Sequence, residues 1–300
     1  MGFSFLYPGC MRLEQQYSKR SLLQLQLTPV SILKQTPKVS IVVPSYHQGQ
    51  FLRATLESIF LQQYENLEVI VVDGGSTDNS VEVIKGFADQ IDWWVSEPDN
   101  GQTHAINKGF EQATGEILAW LNSDDLLLPG AIASAVNRLT ASDKIDVVYG
   151  QRILIDENGH NIGQWLVSNS HGSVLPFADF IPQETLFWRC EAWNCVGARL
   201  DESFEFAMDW DLLLRFKKAG LKFAMIDRFM GAFRFHPAQK TVTAIEHTGF
   251  VDMERLRQRW ANEHGRHHYS KRFMQVQLIH FLIKTRLKEF IWKLRGSGND

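Results

Sequence analysis

Short runs of β-branched residues alternate with amphipathic segments through the first half of this 300-residue chain. The run at 39–44 predicts a buried strand that ends at a proline. The spacing of Leu52, Leu56 and Ile59 then predicts a helix over 50–61. The same criteria predict strands at 67–72, 93–96, 117–121 and 145–149, and helices at 79–87, 102–113 and 131–139. This alternation is typical of an α/β fold with a mostly parallel sheet flanked by helices.

The pattern changes after Gly150. Segments 152–155 and 161–166 flank the turn sequence at 157–159, which predicts a hairpin. Further strands are predicted at 185–189 and 221–226, with a helix at 209–218 between them. We therefore expect one domain at 38–241, with a mostly parallel half (38–128) and a mixed half (129–241). Residues 1–37 are predicted to form a poorly ordered or helical leader, with a helix near 22–27.

The remaining segment, 242–300, is predicted to be helical and is rich in lysine and arginine. Its apolar positions form a stripe at helical spacing: Val276, Ile279, Leu282, Ile283, Leu287, Phe290, Ile291 and Leu294. A basic amphipathic helix can lie on an anionic membrane face, which would give a peripheral membrane contact. The alternative is a helix that packs on the domain with its charged side in water, as most amphipathic helices do.

Composition narrows the class of protein. The formal net charge is −3, so no overall positive field points to nucleic acid. The three cysteines are odd in number and fit no zinc spacing, which indicates a reducing compartment. No apolar run reaches the length of a transmembrane helix. These features predict a cytoplasmic protein, with the inner face of the membrane as its other location if the basic helix docks there.

Unusual polar residues follow the predicted strands, where open α/β sheets bind their ligands. Asp124 and Asp125 come directly after the strand at 117–121. Adjacent carboxylates repel each other unless a cation lies between them, and Mg²⁺ or Mn²⁺ accepts such ligands together with phosphate oxygens. The alternative is a polar turn that caps the next helix.

Three further clusters carry similar alternatives. Asp73, Gly74 and Gly75 either approach a ligand closely or form a simple turn. Asp209 and Asp211 open a helix, where an acid can act as a general base or complement the helix dipole. In the segment 233–241, cationic and hydroxyl side chains could grip phosphates, and His236 is a candidate for metal or diphosphate.

Taken together, the pieces at 39–46, 71–80, 96–110, 113–116, 121–125 and 181–189 resemble family 2 glycosyltransferases, which have the GT-A fold. The similarity covers residues 38–241 and implies that 38–128 is a nucleotide-binding half and that 129–241 is an acceptor half. It implies transfer of a sugar from a nucleoside-diphosphate donor, UDP before other nucleotides, with inversion. The implied acceptor is a glycan or a lipid-linked molecule, in polysaccharide or cell-envelope synthesis.

The resemblance also implies residue roles. Asp209 would be the catalytic base, and Asp124 and Asp125, with His236, would hold Mg²⁺ or Mn²⁺. Gln183, Glu184 and Asp211 would face the acceptor. The donor would be bound by Pro44, Ser45, Tyr46, Asp73, Gly74, Asp99, Gly101, Asn107, Lys108, Asn122, Asp124 and Lys240.

The chain departs from the family pattern at two positions. Many relatives have a second acid where this chain has Gly74, and the residue before the base is usually Glu rather than Met208. Two rival functions follow from the residues. One is a catalytically degenerate sugar- or nucleotide-binding scaffold. The other is a sugar nucleotidyltransferase, which is disfavoured because Pro44-Ser45-Tyr46-His47 replaces its glycine-rich loop.

Overall fold

The structure is a computed structural model that describes residues 36–167, 169, 174–266, 269, 272–277, 279, 281, 283, 285 and 287. The predicted leader, including its helix near 22–27, lies outside these residues except at 36 and 37. Leu282, Phe290, Ile291 and Leu294 of the predicted apolar stripe also lie outside them.

The strands form one nine-stranded sheet. Its first four strands are parallel to one another. They are β1 (Val39–Ser45), β2 (Leu67–Asp73), β3 (Trp93–Ser96) and β4 (Ile117–Trp120). Ser45 pairs with Asp73, and Asp73 with Ser96, so the carboxyl ends of three strands are level.

Four helices cover the two faces of this parallel part: α1 (Gly49–Phe60), α2 (Ser80–Gly86), α3 (Gln102–Gln112) and α4 (Ala131–Thr140). Successive residues of β1 point to opposite faces. Val42 packs with Ile106 of α3, whereas Ile41 and Val43 pack with Leu52 of α1. Burial on both faces is why β1 is a continuous apolar run.

The rest of the sheet is mixed, as predicted. Its strands are β5 (Leu126–Leu127), β6 (Val147–Ile155), β7 (Asn161–Trp165), β8 (Phe187–Arg189) and β9 (Phe223–Arg234). β6 is parallel to β9 and antiparallel to β7 and β8. The complete sheet runs in the order β3-β2-β1-β4-β8-β6-β9-β5, with β7 paired to β6. Two helices complete this half, α5 (Cys190–Cys195) and α6 (Met208–Lys218). The α/β class and the β6–β7 hairpin are thus confirmed.

Three of the predicted strand assignments were wrong. The strands at 145–149 and 152–155 are one strand, because register shifts beside Gly150 let pairing with β9 continue. β9 extends to Arg234 instead of ending at 226. The two-residue strand β5, which is antiparallel to β9, was missed because it is too short to show a period.

Helices follow the sheet: α7 (Lys240–Thr243), a π-helical turn (Ile245–Gly249) and α8 (Phe250–Glu263). α8 packs on the domain through Met253, Leu256 and Trp260. The described positions within 272–287 are also helical. Within the described part of the chain, no helix has the length and apolar character needed to cross a membrane.

Candidate functional site

A cavity of about 710 Å³ opens at the carboxyl ends of the parallel strands and extends towards the mixed half of the sheet. It brings together most of the residues that the sequence predicted. Those lining it are Pro44, Ser45, Tyr46, Gly74, Asp99, Gly101, Asn122, Asp124, Asp125, Gln183, Glu184, Asp209 and Lys240. Residues separated by more than a hundred positions thus share one chamber.

One corner of the cavity is formed by the ends of β1 and β2. The Ser45 hydroxyl is buried without a hydrogen-bond partner among the described residues, and Tyr46 is 60% exposed at the rim. A Cβ atom at Gly74 would lie 2.7 Å from Oδ2 of Asp99. A larger residue at position 74 would require the Asp99 side chain to move.

Asp73 does not line the cavity. It is fully buried, and its carboxylate accepts hydrogen bonds from the Ser76 amide (2.9 Å), the Ser76 hydroxyl (2.5 Å) and the Ser96 hydroxyl (2.7 Å). These bonds hold the loop after β2. Asp73 therefore positions this loop, and its predicted contact with the donor stays a prediction.

The turn containing Asp124 and Asp125 is held from two sides. The Thr55 hydroxyl of α1 lies 2.8 Å from the carbonyl oxygens of Ser123 and Asp125. The backbone amide of Arg234 donates to Oδ1 of Asp125 (3.0 Å), and its Nε donates to the Asp124 carbonyl (2.8 Å). Both carboxylates consequently line the cavity in a rigid setting.

His236 lies beside this turn. Its Nε2 is 3.0 Å from Oδ2 of Asp124, and its ring packs against Phe51 at 4.7 Å between centroids. It does not line the cavity directly. Its contact is with the carboxylate that faces the cavity, so it orients Asp124.

The opposite wall of the cavity carries a second acidic group: Asp179, Glu184 and Asp209. Arg152 lies among them. Its Nη1 is 3.4 Å from Oε2 of Glu184, and its Cζ lies 4.4 Å from the ring centroid of Trp165 and 4.6 Å from that of Phe233. Among the described residues, the cavity lining therefore contains more carboxyl groups than cationic side chains, and the latter are Arg152 and Lys240.

Burial in this acid-rich cavity raises the pKa values of several carboxyl groups. Burial, then repulsion from Asp124 and Glu184, raises the pKa of Asp125 well above its usual range. Burial, then Asp209, does the same to the pKa of Asp179, and burial raises the pKa of Glu184. Asp209, at the second position of α6, has its pKa raised by burial to about 6, despite the opposing Arg152 and Lys240. A carboxyl group that titrates near neutrality is suited to proton transfer.

The described residues contain no group of three His, Cys, Asp or Glu side chains arranged to hold a metal. Asp124 and Asp125 supply two carboxylates, and Mg²⁺ is commonly bound by one or two carboxylates plus the phosphate oxygens of a ligand. The crowded acids also create the negative potential that a divalent cation would neutralise. The donor set thus fits a metal shared with a ligand.

Three other predicted residues lie outside the cavity. Asn107 is buried and bonds the backbone of Leu200 through both its amide nitrogen (3.1 Å) and its oxygen (2.8 Å). Lys108 is paired with Glu97. Asp211 is fully buried between Arg215 and Arg259. These residues have structural partners and do not line the cavity, and their predicted contacts with donor or acceptor stay predictions.

Sequence reasoning missed Asp179 and Arg152. Oδ1 of Asp179 is buried in the cavity wall without a hydrogen-bond partner among the described residues. Asp179 follows a short apolar stretch with no motif around it, so only the folded chain shows its position. Arg152 was within a predicted strand, where a lone polar residue is ordinarily assigned to the solvent side.

Comparisons with known proteins agree with this architecture. The family model described as "Glycosyl transferase family 2" matches residues 40–193. An uncharacterised glycosyltransferase of Rickettsia typhi is 30% identical over 218 residues, which cover 70% of this chain and 68% of that protein. A second uncharacterised glycosyltransferase, from Rickettsia prowazekii, is 29% identical over the same length.

Solved structures share the GT-A fold. Residues 1–349 of S. aureus TarS in complex with UDP-GlcNAc match with a TM-score of 0.63 at 18% identity, over 82% of this chain and 71% of that one. A mannosyltransferase of Pyrobaculum calidifontis in complex with GDP-Man and Mn²⁺ matches with a TM-score of 0.53 at 19% identity, over 71% of this chain and 61% of that one.

Proposed function

Because the chain belongs to glycosyl transferase family 2, we propose that it moves a sugar from a nucleoside-diphosphate sugar to an acceptor hydroxyl, with inversion at the anomeric carbon. The observation that carries this proposal is that Asp209 lines the same cavity as Asp124 and Asp125. A proton acceptor and a diphosphate site are the two parts that a single displacement at the anomeric carbon requires.

The donor occupies the end of the cavity formed by the parallel strands. Pro44, Ser45, Tyr46 and Gly74 border the nucleoside, with Asp99 and Gly101 at its rim. Ser45 has an unpartnered buried hydroxyl that a ligand would satisfy. UDP is the first candidate, since the TarS structure contains UDP-GlcNAc, and GDP is the second, since the mannosyltransferase contains GDP-Man.

Asp124 and Asp125 would hold Mg²⁺ or Mn²⁺, with His236 orienting Asp124 by the 3.0 Å hydrogen bond. When bound, the cation supplies neutralisation of the negative charge that develops on the leaving diphosphate. Lys240 adds a positive charge in the same cavity. Its position is set by hydrogen bonds to the Gln102 side chain and the Glu205 carbonyl.

Asp209 acts as the base. The acceptor oxygen forms a bond to the anomeric carbon while the bond from that carbon to the diphosphate oxygen breaks. The hydroxyl proton passes to the Asp209 carboxylate, and the electron pair of the broken bond leaves with the nucleoside diphosphate. Attack opposite to the leaving group inverts the anomeric configuration.

Gln183, Glu184 and Asp179 form the acceptor side. The Gln183 amide nitrogen is bound to the Trp120 carbonyl at 2.8 Å, while its oxygen is buried without a partner among the described residues. Unsatisfied buried acceptors of this kind suit sugar hydroxyls, which both donate and accept. We infer a glycan or lipid-linked acceptor, in polysaccharide or cell-envelope synthesis.

The test compares Asp209→Asn with Asp125→Ala by calorimetry and by a transfer assay. Purified protein is titrated with UDP, GDP, CDP and dTDP, with and without Mn²⁺. We expect one nucleotide to bind in a Mn²⁺-dependent way. Asp209→Asn should retain this binding and lose turnover by at least about 10³-fold, since its amide cannot accept the proton. Asp125→Ala should lose the dependence on Mn²⁺.

Full transfer by Asp209→Asn would exclude this residue as the base. Binding of none of the four nucleotides would instead favour a scaffold that has lost catalysis. The variant Asp211→Asn, at the next acid of the same helix but outside the cavity, is the matched control. It should alter stability rather than the chemical step, because Asp211 is paired with Arg215 and Arg259.

A further inference from the structure

A stripe of exposed aliphatic side chains runs along the C-terminal segment described within 272–287, and the proposed chemistry does not use it. Val276, Ile279, Ile283 and Leu287 are 61%, 53%, 55% and 57% exposed. Phe281 and Thr285, between them in sequence, are 0% and 1% exposed. The segment is therefore anchored by one side and apolar on another.

Helical geometry puts these two sets on opposite sides. At about 100° per residue, the four exposed side chains fall within an arc of about 80°, and Phe281 and Thr285 lie more than about 100° away from its centre. A helix on the surface of a globular protein normally turns its polar side to water. Here the side opposite the anchor is aliphatic, which is typical of a face that is covered by another partner.

The anchor connects this face to the reaction chamber. The Phe281 ring packs on Phe180 at 4.8 Å between centroids, and Phe180 lines the cavity next to Asp179. Phe177, three residues earlier, contacts Tyr269 and Phe273, with 4.8 and 5.5 Å between ring centroids. Whatever covers the aliphatic stripe is consequently close to the acceptor side of the cavity.

The charge of the C-terminal segment indicates what covers the aliphatic stripe. Residues 271–295 contain seven lysines and arginines and a single acid, Glu289, in a chain whose net charge is −3. A second copy of this segment would bring like charges together. The leader of this chain, residues 1–35, is also basic, with four lysines and arginines against Glu14. A surface that is both anionic and apolar, which a bilayer with anionic lipids provides, matches both properties.

We propose that this stripe docks on an anionic bilayer, with Val276, Ile279, Ile283 and Leu287 inserted at the level of the headgroups. The docking itself is independent of the transferase reaction. Its consequence, that the acceptor is carried at the membrane surface, rests on the proposed function, since it assigns the Phe180 side of the cavity to the acceptor.

The experiment measures binding of the full chain to vesicles by co-sedimentation. Vesicles of phosphatidylcholine are compared with vesicles that also contain phosphatidylglycerol, at low and high salt. We expect binding to the anionic vesicles only, weakened by salt because headgroup attraction is screened. Ile283→Ser should lower the partition coefficient by about tenfold, and Ile279→Ser with Ile283→Ser by more.

Leu61→Ser is the matched control, because Leu61 is also an exposed aliphatic residue (72%) but lies at the end of α1. It should bind vesicles as the wild type does. All variants should keep the wild-type melting temperature, since each replaced side chain is more than half exposed.

Equal binding to neutral and anionic vesicles, or none to either, would overturn the proposal. So would unchanged binding by the double variant, or a dimer in sedimentation velocity that dissociates on the same substitutions. A protein that binds anionic vesicles but shows no transfer would keep the docking surface and reject the proposed reaction.

Discussion

Asp209 illustrates how position alters the chemistry of a single residue. It follows Met208 at the start of α6, and burial raises its pKa to about 6. Its Oδ1 accepts a hydrogen bond from the Trp210 amide at 2.8 Å, which fixes the side chain. An aspartate with an ordinary pKa would be a weak base at neutral pH. Asp209, with a pKa of about 6, is a stronger one.

The pKa of Asp209 gives a pH dependence. Its carboxylate form is the base, so turnover should rise with pH through about 6 and level off above it. Below this value, kcat should fall about tenfold for each pH unit. A pH profile of kcat under saturating donor, acceptor and Mn²⁺ measures this. Constant turnover down to pH 5 would contradict the assignment.

Asp179 is expected to stay neutral when Asp209 is ionised, because burial and the neighbouring Asp209 raise its pKa well above the usual range. Asp179→Asn, which keeps a neutral polar group of the same shape, should retain kcat/KM for the acceptor within about threefold. Asp179→Ala should lower kcat/KM for the acceptor by about 10- to 100-fold, which is the cost of losing one buried hydrogen bond to the acceptor.

The pH profile separates this role from an alternative. If Asp179 is neutral, Asp179→Asn leaves the kinetic midpoint near 6. If it is instead a second carboxylate, its removal relieves repulsion on Asp209 and moves the midpoint to lower pH. A downward shift with retained folding would therefore reject the neutral form.

At the scale of elements, the parallel strands are tied together by one side chain. Glu68 of β2 accepts hydrogen bonds from Lys38 (2.5 Å), from Ser40 of β1 (2.5 Å), and from Thr114 before β4 (2.6 Å from its hydroxyl). The Glu68 side chain is only 8% exposed. The cluster joins β1, β2 and the turn before β4 at the end of the sheet away from the cavity.

This cluster predicts a loss of stability in acid. Burial alone would raise the pKa of Glu68, but hydrogen bonds from Lys38, Ser40 and Thr114 lower it from 4.5 to about 2. A lowered pKa in the folded state stabilises the protein above 4.5, and that contribution is lost as the pH falls from 4.5 towards 2. Glu68→Gln should destabilise the protein at pH 7 by on the order of 2 kcal/mol.

Chemical denaturation of both proteins at pH 7 and pH 3 measures the difference. The gap in unfolding free energy should narrow at pH 3, because the wild-type carboxylate is then losing its advantage. Glu65→Gln, in the loop before β2, serves as the control, because Glu65 takes no part in the hydrogen bonds of the Glu68 cluster. An equal gap at both pH values would show that Glu68 acts through packing rather than charge.

At the scale of the whole molecule, the cavity concentrates acids that the fold must tolerate when no ligand is bound. Asp125, Asp179, Glu184 and Asp209 all have raised pKa values. A carboxyl group whose pKa is raised on folding makes the folded state less stable as the pH rises through that value. The unliganded protein is therefore expected to gain stability from any cation that neutralises these groups.

Thermal melting tests this balance. Mn²⁺ with the nucleotide at 100 times its dissociation constant should raise the melting temperature by several degrees, since such saturation is worth about 2.7 kcal/mol. Asp125→Asn should melt at a higher temperature than the wild type without metal, because it removes a carboxyl group whose ionisation is disfavoured by folding. The same variant should lose most of the Mn²⁺-dependent rise. An equal Mn²⁺-dependent rise in Asp125→Asn and in the wild type would assign the metal to other residues.

The sequence alone determined the class of fold and the parallel part of the sheet. The alternation of β-branched runs with amphipathic segments depends on local periodicity, which survives without knowledge of contacts. Polar residues after each strand located the cavity edge, because carboxyl ends of parallel strands meet at one place. Motifs at 121–125 and 206–211 brought Asp124, Asp125 and Asp209 forward as candidates.

Only the tertiary structure decided which acids face the cavity. Asp209 and Asp211 are two residues apart on one helix, and a helix turns side chains at that spacing well away from each other; Asp209 faces the cavity and Asp211 faces Arg215 and Arg259. Asp179 and the partners of Asp73 and Asn107 also depend on long-range contacts that no local pattern encodes. Whether a charged side chain is paired, buried or free follows from neighbours distant in sequence, and these neighbours set its pKa and its chemistry.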